Sequence, residues 1–478
     1  MPFAIGFVAV LFGAYWDDGW HTVRGRDSFL VAPHIVLYMG TMLASLTISA
    51  WAMLLIRSEG VRTALRRPAV VLGLLGTVVM LISAPIDEWW HTAFGRDAVA
   101  WSPPHMLGVV GLFVLAASVT LEVSRSARGV GKLMTVIAGA ALIGAATAPV
   151  FEYETDVPQF DELWYLPVLV LGAALAMALL RSVATWRYAV FAAAALYTIF
   201  RAIDGAVLEA TGYVFPLVPL LVVPALIVEH ASARHWGPGG KALAFAGSIY
   251  AAYLPYLNWV VPGVSLDLAD IAVGLPLATV AAYTCFLLVD RDRLRGIGRP
   301  TLATAAALSA VLALLLLAQA APPALAHDPG QGSELGQAQL VGAVRDGEAT
   351  LSVAPETAAL CNSLEPIGIV ARRAGETLRA PLAETGSCIF TGAIPLPSEG
   401  RWFVYGEFES GEGRTVEAWL PLTTPENPRD EEVRSVYSPP VVESSGVKLA
   451  SGIALYAIIA ALLIAVVGMF RRQSGSRS

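Results

Sequence analysis

Apolar runs of roughly 20 residues, nearly free of charge and separated by short polar turns, fill most of this 478-residue chain. A run of about that length is what a helix needs to cross the hydrocarbon layer of a bilayer. In order, the runs predict helices near 2–20, 33–56, 68–87, 104–123, 132–150, 164–182, 188–204, 214–230, 241–258, 269–289, 301–321 and 448–470. The fold class expected is mainly α, a polytopic membrane bundle of about twelve transmembrane helices. Residues 322–447 break the pattern. There AQLVGAV, EATLSVA, CIFTGAI and RWFVYGEFE follow one another between Gly, Pro and acidic turns, which predicts a small extracytoplasmic all-β domain, a cupredoxin- or Ig-like sandwich.

The domain division that follows is a metal-binding membrane region at 1–130, further transmembrane helices at 131–321, the β-sandwich at 322–432, a linker at 433–447, a last helix at 448–470 and a tail at 471–478. Within it, TTPENPRDEEVRSVYSPPVVESSG reads as a Pro- and Glu-rich tether over 423–446. The opening MPFAIGFVAVLFGAYW lacks a basic start and a small-residue cleavage site, and so reads as a first membrane helix.

Charge adds an orientation. Basic residues gather on alternate turns: Arg57, Arg62, Arg66 and Arg67, then Arg125, Arg128 and Lys132, then Arg181 and Arg187, then Arg234 and Lys241, then Arg291 to Arg299, and finally Arg471, Arg472 and Arg477. The positive-inside rule places these turns and both termini in the cytoplasm, in a multi-pass protein of the cytoplasmic membrane. The opposite, outer face is acidic and aromatic; Asp17, Asp87, Glu152 and Asp204 are delivered to it, and the β-domain lies there too. No basic stretch is interleaved with aromatics, which excludes nucleic acid as a partner. Of the three cysteines, Cys285 lies in an apolar run. Cys361 and Cys388 fall in the exported segment, where they form a disulfide or remain two buried thiols.

Candidate chemistry sits in a repeated phrase. Residues 17–34 read DDGWHTVRGRDSFLVAPH and residues 87–105 read DEWWHTAFGRDAVAWSPPH. Asp17 and His21 are four apart, as are Asp87 and His91, so each pair shares a helix face. His34 and His105 each follow a proline suited to opening the next helix. Each hairpin thus offers one carboxylate and two imidazoles, a donor set for a divalent transition metal: copper, zinc or iron. Arg26 with Asp27, and Arg96 with Asp97, are natural partners to orient those ligands, while Asp18 and Glu88 are acids placed beside them. Four of the seven histidines fall in these two copies, which weighs against four unrelated interfacial histidines. His230 and His235 lie on the basic side, and His327 has no histidine companion.

On these residues the chain resembles the C subunit of the copper membrane monooxygenases, the particulate methane and ammonia oxidisers. The family's first motif has an Asp, a His four residues on with Trp before it, an Arg-Asp pair and a second His; here these are Asp17, Trp20, His21, Arg26, Asp27 and His34. Its second motif matches Asp87, Glu88, Trp89, His91, Thr92, Pro103 and His105, with Asp87 where the family has Asn. The likeness covers roughly residues 10–125. It implies copper at both clusters, oxygen insertion into a small apolar or ammonia-like substrate, quinol as electron source, A- and B-type partner subunits, and a trimer. The further helices and the β-domain depart from that family's C subunit. A second function class stays open: copper uptake, storage or delivery to a copper-accepting protein, without catalysis.

Overall fold

The computed structural model describes residues 2–24, 29–94, 101–124, 129–261, 263–289, 333–439 and 445–475. The predicted helix at 301–321, His327, and the pairs Arg26–Asp27 and Arg96–Asp97 lie outside the described residues. The membrane part comprises α1 (Pro2–Arg24), α2 (Ala32–Glu59), the short α3 (Val61–Ala64), α4 (Pro68–Phe94), α5 (Pro103–Val123), α6 (Val130–Thr147), the short α7 (Phe151–Glu154), α8 (Tyr165–Val183), α9 (Ala189–Ala210), α10 (Val222–Ala233), α11 (Pro238–Trp259) and α12 (Leu268–Val289). Among the described residues, eight helical segments rather than twelve are long and apolar enough to cross a membrane. One expected span is shortened for a local reason. The run at 214–230 becomes helical only from Val222, because Pro216 and Pro219 lack a donor and push Phe215 and Val218 out of the helical region. The remaining 12 residues of α10 reach about 18 Å, short of the hydrocarbon thickness.

Two hairpins hold the repeated phrase. In α1 and α2, Gly6 and Gly40 let the backbones touch: a Cβ on Gly6 would lie 2.7 Å from the Gly40 carbonyl oxygen. Small residues at such a crossing are how helices pack where lipid removes the hydrophobic drive. In α4 and α5, Gly73 leaves room for Ser118, whose hydroxyl donates to the Ala69 carbonyl at 2.7 Å.

The β-domain has nine strands: β1 (Ser333–Arg345), β2 (Glu348–Pro355), β3 (Leu364–Arg373), β4 (Glu376–Ala380), β5 (Leu382–Gly386), β6 (Ile389–Pro395), β7 (Gly400–Ser410), β8 (Thr415–Thr424) and β9 (Asn427–Ser438), with the short α13 (Ala358–Asn362) after β2. They form one antiparallel sheet in the order β4-β3-β7-β8-β9-β1-β2-β6-β5. The sheet curls until its halves face each other, so that Val353 of β2 meets Gly406 of β7, where a Cβ would come within 2.9 Å of the valine methyl. Trp402, Phe408, Leu420 and Val436 fill the core between them. Cys361 and Cys388 are joined by a disulfide.

The tether expected at 423–446, and the linker at 433–447, need correction. Residues 427–438 are a strand paired along β1, from Asn427 against Val344 to Ser438 against Ser333. Arg429, Asp430, Glu431 and Glu432 keep contact with solvent while Arg434, Val436 and Tyr437 are buried, so the charge-rich composition marks one solvated strand face rather than a free segment. The last helix, α14 (Ser445–Gly475), returns to the bundle against α5 and α8. Its Tyr456 hydroxyl donates to the Trp101 carbonyl at 2.5 Å, and Gln473 Nε2 donates to the Leu121 carbonyl at 2.8 Å.

Domain and bundle are clamped together by arginines. Arg373 at the end of β3 is 1% exposed and donates to Asp156 Oδ1 and to Glu162 Oε1, both at 2.8 Å, and to the Arg401 carbonyl at 2.9 Å. Burial alone pulls its pKa down, but Asp156 and Glu162 outweigh that and hold it above the usual arginine value. Val157 of the bundle inserts beside Val370, Phe403, Tyr405, Trp419 and Tyr437 of the domain, an apolar patch around the ion pairs.

Candidate metal centres

Asp17 and His21 lie one turn apart near the end of α1, and His34 begins α2. Pro33 stands in the first turn of α2, where its missing N–H costs nothing. The second copy is built the same way. Asp87 and His91 lie near the end of α4, Pro103 opens α5, and the Ser102 hydroxyl caps that helix by accepting from the His105 N–H at 3.3 Å. Both helices that end in these acids run one to two turns further than the apolar pattern predicts, α1 to Arg24 and α4 to Phe94, so carboxylate and first imidazole are held by continuous helix.

The resulting distances are close in the two copies. His21 Nε2 is 3.6 Å and His34 Nε2 is 3.2 Å from Asp17 Oδ1. His91 Nε2 is 3.3 Å from Asp87 Oδ1, and His105 Nε2 is 3.1 Å from Asp87 Oδ2. In each group one ligand atom per residue lies within 4.8 Å of the others, close enough for all three to share a metal ion. With metal–ligand bonds of about 2.0–2.2 Å, donors of one ion stand roughly 3–3.5 Å apart, so the donor set and its spacing fit. Asp17 Oδ1 and Asp87 Oδ1 are buried without a well-aligned hydrogen bond, and His91 Nδ1 is buried likewise. Buried carboxylate oxygens with lone pairs to spare suit a cation beside them. His21 and His91 are buried, whereas the His34 and His105 side chains keep 14% and 31% exposure, so each site opens through its second imidazole.

The flanking acids separate. Asp18 is 1% exposed, whereas Glu88 is exposed on the helix surface. Trp20, Trp90 and Trp101 stand near helix ends, where the sequence reads as an interfacial aromatic belt, but Trp90 and Trp101 are buried. The Trp101 indole donates to the Pro149 carbonyl at 3.1 Å and borders an apolar cavity of about 110 Å³. Met106, Val109 and Phe113 of α5 line it, with Leu171 of α8 and Ile459 of α14. Val109 is one helical turn from His105, so the cavity starts just below the second cluster.

A further buried group went unread in the sequence. Arg201 of α9 is fully buried over the Tyr15 ring, 3.4 Å from its centroid. Its Nη2 lies 3.3 Å from Glu154 Oε2, which also accepts from the Tyr15 hydroxyl at 2.5 Å. Asp204 Oδ2 is 3.8 Å from its Nε. Asp204 is buried in this cluster, and Glu152 is buried as well. The available signal was an arginine with an acid three residues on, inside an apolar run, since intramembrane charges come paired.

Comparison with family models, with curated proteins and with solved structures returned no match.

Proposed function

We propose that this chain is a membrane copper protein whose two Asp-His-His centres serve a monooxygenase reaction on a small apolar or ammonia-like substrate, by itself or as the C-type part of a larger enzyme. The observation that carries the reading is the duplication in space: two separate hairpins converge on the same three donors at metal-compatible distances. One interfacial histidine beside an acid is ordinary hydrogen bonding. Two hairpins with the same donors in the same order are a built feature.

Copper is the metal that the resemblance of the two motifs implies; the donors themselves also suit zinc or iron. It would supply dioxygen activation and one-electron chemistry. The chain's own residues do the rest. Asp17 and Asp87 offset the ion's charge, His21 and His91 hold it from the dry side, and His34 and His105 leave an approach from outside. Asp18, buried beside the first centre, and Glu88, exposed beside the second, are positioned to pass protons between site and water. The apolar cavity below His105 excludes water and has room for only a few heavy atoms. Topologically we read the basic turns as cytoplasmic, α1 and α11 as completing the bundle, and the curled sheet as an extracytoplasmic sandwich. The solvent-reaching His105 favours one second reading, handing copper to an acceptor protein, because an exposed ligand can exchange.

The test is oxygen uptake by the purified full-length protein, copper-loaded, with a quinol and short-chain hydrocarbons. Substrate-dependent uptake is expected, and it should fall to background in the His21→Ala/His91→Ala double variant. Copper that is bound and passed to an apo acceptor, with no substrate-dependent uptake, would favour the delivery reading instead.

A further inference from the structure

The β-domain rests on the end of the helix that carries the first centre. Val23 follows His21 by two residues, in the last turn of α1, where backbone carbonyls lack partners within their own helix. Arg434 Nη2, on β9, donates to the Val23 carbonyl at 2.9 Å. The guanidinium is itself fixed: its Nε pairs with Glu432 Oε2 at 2.8 Å, it lies over the Trp419 ring at 4.6 Å from the centroid, and the residue is 8% exposed. Arg401, on β7, reaches the same end of the bundle. Its Nη1 donates to the Thr155 carbonyl at 3.2 Å and its backbone N–H to Asp156 Oδ2 at 3.0 Å. Burial lowers the Arg401 pKa, partly offset by Asp156 and by Asp18, the neighbour of the ligand Asp17. Arg434 therefore meets the negative pole of the α1 dipole, while Arg401 ties the domain to the segment after α7. In the second copy the counterpart of Val23 is Ala93, and the Arg434 bond goes to α1.

We propose that Arg434 is a positioning residue for the first centre: by holding the Val23 carbonyl it fixes the last turn of α1, and with it the His21 imidazole relative to Asp17 and His34. The inference rests on the reading of that cluster as a copper site. It gives the β-domain, which carries no metal cluster among its described residues, a role in the chemistry of the bundle. It also makes the two centres unequal, one tied to the domain and one independent of this bond.

The experiment is copper(II) titration of full-length protein against a competing chelator, with the spin-resonance spectrum recorded at each point. In a His91→Ala background only the first centre remains, and Arg434→Met is expected to weaken its copper affinity about tenfold, as loss of an outer support does at metal sites. Arg434→Lys, which still donates to Val23, should recover most of the loss and the wild-type spectrum. In a His21→Ala background, where only the second centre remains, Arg434→Met should change nothing. Unchanged affinity in the first background, or an equal loss in both, would overturn the proposal. If Arg434→Met does not accumulate, Trp419→Phe, which loosens the stacked guanidinium, is expected to give the same one-sided loss. If His21→Ala itself leaves copper binding untouched, the site reading fails first and this inference falls with it.

Discussion

Arg201→Met is expected to destabilise the bundle by about 3–5 kcal/mol, the usual cost of stripping one partner from a fully buried ion pair. The reason is a count of charges. One guanidinium faces Glu154 and Asp204, both buried, and Tyr15 hands its hydroxyl proton toward the same Glu154 oxygen. Without Arg201, two carboxylates sit in a low-dielectric bundle with nothing to offset them, and Tyr15 loses the cation over its ring. The measurement is thermal unfolding of the detergent-solubilised protein, with yield from membranes as a second readout. The triple variant Arg201→Met/Glu154→Gln/Asp204→Asn should regain much of the loss, since removing all the charges also removes their desolvation cost. A single variant as stable as the parent would mean that the cluster is hydrated and contributes nothing to the packing of α1 against α9.

Arg373→Met is the second large effect. This side chain ties β3 to Asp156 and Glu162 through two short charge-assisted bonds, and it also holds the Arg401 carbonyl. The two acids keep some water, with side chains 19% and 17% exposed, so the expected cost is about 2–4 kcal/mol, below that of a wholly buried pair. The cost should fall on docking rather than on the domain's own fold, because the domain core around Phe408 and Val436 is a separate cluster from the apolar patch at the clamp. Calorimetry is expected to show one cooperative transition splitting into two, with the later one abolished by reductant only if the bridge supports the domain. A uniform shift of a single transition would place Arg373 in the domain's core stability instead.

The helices were legible in the chain because lipid imposes a simple rule, long apolar runs with polar turns, and α2, α5, α8 and α12 fall within a few residues of where the runs lie. The six candidate ligands were legible because a four-residue spacing on a helix and a proline one residue before the next histidine fix relative position without tertiary information. What was hidden depended on contacts far apart in sequence. The local pair of Arg201 with Asp204 is a weak signal by itself, and the other partners, Tyr15 and Glu154, come from α1 and α7. The strand at 427–438 was masked by its charge, since a strand with one solvated face and few apolar residues reads like a tether until β1 is beside it. Trp90 and Trp101 looked like belt residues because the helix that buries them, α14, lies more than 300 positions away. The clamp of Arg373, Arg401 and Arg434 was likewise invisible, each being one arginine among many in a sheet.

The central claim is that two separate Asp-His-His centres each hold a metal ion, and metal counting tests it most directly. Full-length protein purified from membranes, loaded with copper and freed of loosely held ions, is expected to retain about two ions per chain, one for each three-donor set. His21→Ala and His91→Ala should each remove one ion, and the double variant both, while oligomeric state and thermal stability in the absence of metal stay close to the parent. Copper, zinc and iron contents that are unchanged by both substitutions would contradict the account.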